Sequence, residues 1–267
     1  MSNIDAVNAF LMAIHFDRFA EIEARHAPDA LFQSFRGPTL RDSVAIADWH
    51  GAFHRDYADC SYTDIEYIEE GNTVVIRATI EAKAPDWRPF TQRVVEVFEF
   101  SENGIQRRRL YGMMPDLELD KPAQQALDNA LGYRGGGVAA TRQTVEQWLA
   151  AFSQGDLDAA RAMLHEKNAN IDSVYGVTTG FDASMAAISA RPKPLFGTVR
   201  PIALYCGEHT ALIEEAVDPA RPRRARWVRL VDGKVAVFEY YWMLREIGVD
   251  PFGDRRARHK KQVILPI

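Results

Sequence analysis

An α+β fold in two copies is what this sequence predicts, and three observations predict it. Segments recur in the same order in both halves, each half reads helices first and strands afterwards, and 267 residues suit two domains. Phe32-Gln-Ser-Phe-Arg-Gly37 stands beside Ile171-Asp-Ser-Val-Tyr-Gly176, each after a helical stretch and before an Asp-started helix. Further on, Asn72–Glu81 aligns with His209–Asp218, and Val97–Ile105 with Trp227–Val235, with one residue of slippage at the turn. A repeat of about a hundred residues can bury its own core, so two copies mean two domains rather than a solenoid. Helices followed by antiparallel strands give a cone-shaped domain, a curved antiparallel sheet whose concave face is covered by helices, and a pocket in that covering is the expected ligand site. The expected division is a first domain at 1–121, the candidate active half. A linker with a short helix and a Gly-rich joint follows at 122–140, then a second domain at 141–250 and a basic tail at 251–267.

The elements follow in order. Val7, Phe10, Leu11, Ile14 and Phe19 repeat at three-and-four spacing and predict one helix over 4–26. The second copy opens with Val145, Trp148, Leu149 and Phe152, and its Gly155-Asp156 predicts a break with Asp156 capping the next piece. A short strand and then the helix begun by Asp42 or Asp182 come next. Thr73–Ala82, Thr91–Phe100 and Ile105–Met113 are rich in β-branched and aromatic residues and read as strands, with Glu102-Asn-Gly104 as a hairpin turn matched by Asp232-Gly233. In the connection, Pro122 starts a helix over 123–131, and Gly135-Gly136-Gly137 reads as a flexible joint.

Composition narrows the function. Apolar content of 47% and charged content of 26% describe a globular chain, no run is apolar enough to span a membrane, and the first residues carry no signal core, so the expected location is cytoplasmic. Residues 1–120 hold 12 Lys and Arg against 21 Asp and Glu, and the rest 20 against 16. The basic runs at 221–229 and 255–261 lack the interleaved aromatics of a nucleic-acid groove, so no nucleic-acid partner is expected. The opposite charge of the halves suits association of the halves, or of two chains. Cys60 and Cys206 are the only cysteines and read as packing residues. With no phosphate loop, dinucleotide fingerprint, nucleophile elbow or metal motif, the chemistry is expected from side chains alone, without a cofactor or a metal.

Glu70-Gly-Asn-Thr-Val-Val-Ile-Arg77 and Val97–Ile105 in the first half, with Trp148–Asp158 and Val228–Val235 in the second, resemble the nuclear transport factor 2-like superfamily, in its SnoaL-like polyketide cyclase and ketosteroid isomerase branches. The resemblance implies a cofactor-free pocket for a small apolar substrate and paired domains, here an intrachain pseudo-dimer or a homo-oligomer. Carried onto this sequence, the isomerase's helix-one tyrosine falls on Phe10 and Trp148, its catalytic aspartate on Ser34 and Ser173, and its second acid on Glu96 and Arg226. With the base position held by serine, steroid isomerisation by the family's route is not expected. Asp172, one residue along the strand from Ser173, is expected to face away.

Glu96 is the leading candidate. Its strand face reads Val94, Glu96, Phe98, Phe100, so burial there shifts the carboxyl's pKa unless a cation offsets it. The resemblance points Arg77 inward with Val75 and Thr79, and Arg108 inward with Leu110 and Gly112. The set reads either as a catalytic acid–base centre or as a structural ion pair. Trp49 and Phe53 read as core or pocket wall, and Tyr111 as a hydrogen-bond donor or a plain sheet aromatic. His50 and His54, four apart on a helix, fit a metal or acid–base work but lack a third ligand. His26 reads as a boundary residue, and Glu214 with Arg226 as a salt-bridged pair. Two functions remain: a cofactor-independent lyase or isomerase (elimination, dehydration or retro-aldol) on an aromatic or polyketide-like molecule, and a non-catalytic binding or scaffold protein of the same fold.

Overall fold

The computed structural model describes residues 2–85, 87–133, 135–189, 200–218 and 221–249; the basic tail at 251–267 lies outside the described residues. The fold is α+β, and the chain divides into two compact units, one built from residues 1–66, 72–117 and from Trp242 onward, the other from 67–71 and 118–241. Among the described residues no helix is long and apolar enough to cross a membrane.

The first unit begins with α1 (Asn3–His15), started by a reciprocal Ser2–Asp5 capping box and burying Val7, Phe10, Leu11 and Ile14. The single helix expected over 4–26 is two: Asp17 takes a left-handed φ of 55°, α2 (Phe19–Arg25) restarts the coil, and His26 already opens β1 (His26–Ser34). Apolar spacing continues across the break, which is why periodicity alone runs the two together. A short β2 (Leu40–Arg41) leads to α3 (Ser43–Asp56), capped by Asp42 accepting from the Ala45 N–H at 2.7 Å. The strands β3 (Ala58–Glu70), β4 (Thr73–Lys83), β5 (Pro89–Ser101) and β6 (Gly104–Gly112) follow as neighbours in that order, with β1 beyond β6. The sheet is antiparallel except that β1 joins β6 in parallel.

Register decides what the helices cover. Ile76, Glu96 and Leu110 lie opposite one another across β4, β5 and β6, and Phe98, Arg108 and Phe32 across β5, β6 and β1, so all six share one face. Gly112 on β6 lets Phe35 approach: a Cβ there would lie 2.6 Å from the Phe35 ring. Gly112→Ala is therefore expected to overpack this end of the sheet and cost about 1–3 kcal/mol in denaturant unfolding, with Phe35→Leu in the same chain recovering part of the loss.

The second unit repeats the plan after an extra helix. Its elements are α4 (Lys121–Gly132), α5 (Val138–Gln154), α6 (Leu157–Ala162), β7 (Leu164–Asp172), β8 (Gly176–Thr179), α7 (Phe181–Ser189), β9 (Arg200–Cys206), β10 (Thr210–Asp218), β11 (Arg221–Val231) and β12 (Lys234–Trp242). Gly155 turns left-handed at φ 74° and Asp156 caps α6, as the sequence predicts. The helix expected in the linker is present as α4, but it belongs to this unit, where it buries Ala123, Ala126, Leu127 and Ala130. The glycine run is pinned rather than loose, because the Glu208 carbonyl accepts from Gly137 N–H at 2.9 Å and Thr141 Oγ1 at 2.7 Å, and a Cβ at Gly136 would meet that oxygen at 2.7 Å. The core gathers Val145, Trp148, Ile213, Val228, Val235 and Phe238.

Candidate active site

Glu96, at the centre of β5, is fully buried, and so is Arg108 on the neighbouring β6. Arg108 gives Glu96 Oε1 two hydrogen bonds, one from Nε at 2.8 Å and a shorter one from Nη2. Its Nη1 turns the other way and donates to His50 Nε2 at 3.1 Å and His26 Nε2 at 3.3 Å. Four of the five guanidinium N–H bonds are thereby spent inside the protein. Around the guanidinium stand the rings of Phe10, Phe32 and Phe98, their centroids 4.2, 4.4 and 5.3 Å from its central carbon. A delocalised cation with weak hydration suits such a box, where each ring face attracts it.

The histidines are tuned to accept. His26 opens β1 where α2 ends, and its Nδ1 lies 2.7 Å from the Ile22 carbonyl, which fixes the proton on Nδ1 and leaves Nε2 for Arg108. Burial, then the Arg108 charge, pull its pKa down to about 3, and the same causes hold His50 well below its ordinary value. His26 is thus a core residue, not the boundary residue expected. His54 engages elsewhere, with Nδ1 2.5 Å from Asp17 Oδ1, so the two helix-spaced histidines serve different partners.

Glu96 is asymmetric. Oε1 carries both Arg108 bonds, while Oε2 is buried and has no hydrogen-bond partner. Burial pushes its pKa up and the Arg108 charge pulls against it, with a raised value as the outcome. Two groups the sequence reading passed over act on this carboxyl. Arg36 is buried just after β1, donates to Gln92 Oε1 at 3.0 Å and lies 4.1 Å from the Phe53 ring centroid. The Tyr62 phenol on β3 has its pKa raised by burial and then by the Glu96 charge. Tyr62 was findable from Cys60 and Tyr62 alternating on a strand, but Asp64 with φ 51° interrupts that alternation. Arg36 follows the strand rather than sitting in it, so no period marks it.

The remaining candidates divide by face. Phe10, Ser34, Phe98 and Leu110 join Glu96, although Ser34 Oγ accepts from the Arg36 N–H at 3.1 Å and so serves the turn. Trp49 and Phe53, stacked at 6.1 Å between centroids, are half-buried and continue from Phe32 and Arg36 toward the rim. Arg77 and Tyr111 do not join: both lie opposite Val95, one residue out of phase with Glu96, and so occupy the other face of the sheet. There Arg77 Nη1 lies 3.5 Å from Glu66 Oε1.

The second unit carries a different filling on the same lattice. Phe32 and Ser34 lie opposite Arg108 and Leu110, while Asn170 and Asp172 lie opposite Phe238 and Tyr240. Asp172, not Ser173, therefore holds the position of Ser34 and faces inward, contrary to the expectation, because it lies opposite Tyr240 as Ser34 lies opposite Leu110. Its Oδ1 accepts from the Val174 and Tyr175 N–H groups at 2.9 and 3.2 Å. Arg226 pairs with Glu215 at 2.8 Å rather than with Glu214, and Arg224 bonds the same carboxylate. Burial pushes Glu215 up, but the two arginines outweigh it and hold its pKa below the ordinary value. Glu214 lies a residue out of phase, with Tyr205 Oη donating to it at 3.5 Å. Trp148, Phe238 and Arg226 pack together, the ring centroids 4.7 Å apart.

Residues 7–108 match the SnoaL-like domain family, the stretch in which Glu70–Arg77 and Val97–Ile105 carry the first-half resemblance. No curated protein matches the chain. Among solved structures, similar chains include a protein of unknown function with an NTF2-like fold from Burkholderia pseudomallei, 21% identical, covering 42% of this chain and 92% of its own at a TM-score of 0.39. A candidate polyketide cyclase from Pseudomonas putida is 16% identical over 42% of this chain and 91% of its own, also at 0.39. A ketosteroid isomerase-like fold from Catenulispora acidiphila, in complex with trimethylamine, is 17% identical over 40% and 83%, at 0.38.

Two outcomes follow from the buried set. Glu96→Gln or Arg108→Met alone leaves a buried charge without its partner and is expected to cost about 3–5 kcal/mol in chemical denaturation, whereas the double change costs less than the sum. The two histidines have folded pKa values below the ordinary 6.5, so the unfolded chain binds their protons first as pH falls. Stability should therefore decline from about pH 6.5 toward pH 3, by up to about 1.4 kcal/mol per pH unit for each ring, and His26→Gln should flatten the curve in urea titrations.

Proposed function

We propose that the first unit is a cofactor-independent acid–base enzyme of the isomerase or lyase type, acting on a small, mostly apolar, aromatic or polyketide-like molecule. One observation carries this reading: Glu96 is held by one oxygen, and the other is buried, unpartnered and on the helix-covered face of the sheet. A carboxyl so fixed, with its pKa raised, is suited to take a proton from carbon and return it. Arg108 is a positioning residue in this scheme, since its donors are committed to Glu96 and the histidines. The charge that develops on the substrate as it loses its proton would be met by Arg36 and the Tyr62 hydroxyl, whose electrostatic coupling to Glu96 supports that role. Trp49 and Phe53 would stack on the planar part of the substrate. Two eliminations fit this set: proton removal next to a carbonyl with loss of the β-hydroxyl as water, or proton removal from a β-hydroxyl with cleavage of the adjacent C–C bond, which releases a small carbonyl fragment and leaves an enolate to be protonated. Both fit better than migration of a double bond between two acids, since the face offers one carboxylate.

A second reading, a binding or scaffold unit without catalysis, is favoured by the closure of Phe10, Phe32 and Phe98 over Arg108. One experiment separates them. The protein is screened by thermal shift with aromatic and polyketide-like acids, phenols and β-hydroxy ketones, and stabilising compounds are incubated and analysed for turnover. The enzyme reading expects a compound that is converted by wild type, with Glu96→Gln binding it but slower by about 10²–10⁴-fold, and a rate that rises with pH through a midpoint above 4.5. Binding without turnover in either protein establishes the second reading, and no binding by either removes the first.

A further inference from the structure

Beyond the face that holds Glu96, the second unit contains an unexplained amide beside a cavity. Asn168 on β7 is 1% exposed, and both its Nδ2 and Oδ1 are buried without any hydrogen-bond partner. Asn170, two residues along the same strand, has its Nδ2 on Ser184 Oγ at 2.5 Å and its Oδ1 receiving the Tyr240 hydroxyl at 3.4 Å. Ser184 in turn reaches the Gly180 carbonyl at 2.8 Å and Thr178 Oγ1 at 3.2 Å, so the network is closed around Asn170 and stops short of Asn168. The fold thus supplies partners to one amide and withholds them from its neighbour, and the one left unpartnered lines a cavity of about 500 Å³. That volume lies within the range of small-molecule pockets. An amide with both groups unmet is costly in a closed interior, where an apolar residue of similar size would fill the same space without loss.

The lining indicates the ligand class. Arg161 and Lys234 bring two positive charges and Glu166 and Asp182 two negative ones, and Arg161 is tied to Asp182 at 3.2 Å and lies 5.2 Å from the Phe181 ring centroid. The charges balance, so no net charge is selected. Asn168 offers a donor and an acceptor side by side in one plane, and their complement is an acceptor and a donor in the same arrangement. We propose that this cavity is a second ligand site, taking a neutral planar molecule with a cis-amide edge, a lactam, an imide or a primary carboxamide, paired edge-to-edge with Asn168. Phe181, in the same lining, gives an apolar wall.

The test uses the full chain labelled with ¹⁵N and titrated with 2-pyrrolidinone, succinimide and benzamide. N-methylpyrrolidinone serves as the matched control, keeping the acceptor and losing the donor. The expected result is a saturable shift of the Asn168 side-chain NH₂ resonances with at least one amide, about tenfold or more weaker binding of the N-methylated control, and loss of binding in a folded Asn168→Leu protein. The proposal is overturned if no amide moves those resonances up to its solubility limit, if the methylated control binds equally, or if Asn168→Leu keeps its affinity. Should Asn168→Leu not fold, the comparison of pyrrolidinone with its N-methyl form on wild type decides alone. Glu96→Gln is titrated in parallel and is expected to bind as wild type, which keeps this site separate from the reading of the first unit.

Discussion

The two-bonded contact between Arg108 and Glu96 is the constraint on which the first unit rests. Two fully buried ions cannot persist unless their attraction and their hydrogen bonds replace the water they have lost. Everything around the pair meets that demand. The histidines accept from the guanidinium's outward nitrogen because burial keeps them neutral, and they come from different elements, one at the start of β1 and one in the middle of α3. The rings of Phe10, Phe32 and Phe98 add faces to the cation from α1, β1 and β5. A single side chain therefore ties together a helix pair and three strands, and its charge adds to the burial that keeps the two histidines uncharged.

The second unit shows what the framework does without that pair. Phe238 stands at the position of Arg108 and Arg226 at that of Glu96, so the cation has moved one strand over and finds its carboxylate, Glu215, on β10 instead. Trp148 replaces Phe10 and lies beneath Arg226 as Phe10 lies beneath Arg108. The stacking of a guanidinium on a helix-one ring is conserved between the copies as a geometry, while the residues that produce it differ. Asp172 and Ser34 show the same separation of place from chemistry: one backbone position is a carboxylate in one copy and a hydroxyl in the other, each engaged with backbone N–H groups of the turn that follows.

Much of this was legible in the sequence, and the failures have a common cause. The duplication, the caps at Asp42 and Asp156, the hairpin turns and the apolar strand face that holds Glu96 depend on local spacing, which a sequence displays, while the inward direction of Arg108 came from the resemblance. Arg77 was placed wrongly because adjacent residues on a strand face opposite sides and a resemblance does not fix phase to one residue. The same slip put Asp172 outside and paired Arg226 with Glu214. Once the ladder is known, Arg77 opposite Val95 and Asp172 opposite Tyr240 leave no freedom. His26 failed for another reason: its burial comes from the break at Asp17, which turns what reads as a helix end into the first residue of an interior strand.

Glu96 meets Arg108 through one oxygen: Nε and Nη2 both donate to Oε1, while Nη1 is drawn to the two histidines. The pair is therefore end-on rather than the symmetric bidentate form, in which those same two donors would take one oxygen each. A structural ion pair selected only for stability would satisfy both oxygens, since each unmet acceptor in a closed interior reduces stability. Here Oε1 takes both bonds and Oε2 none, so the pair forgoes stability at one atom while the histidines and the three rings hold the arginine in place. That unshared oxygen is the feature on which the proposed acid–base role of Glu96 rests.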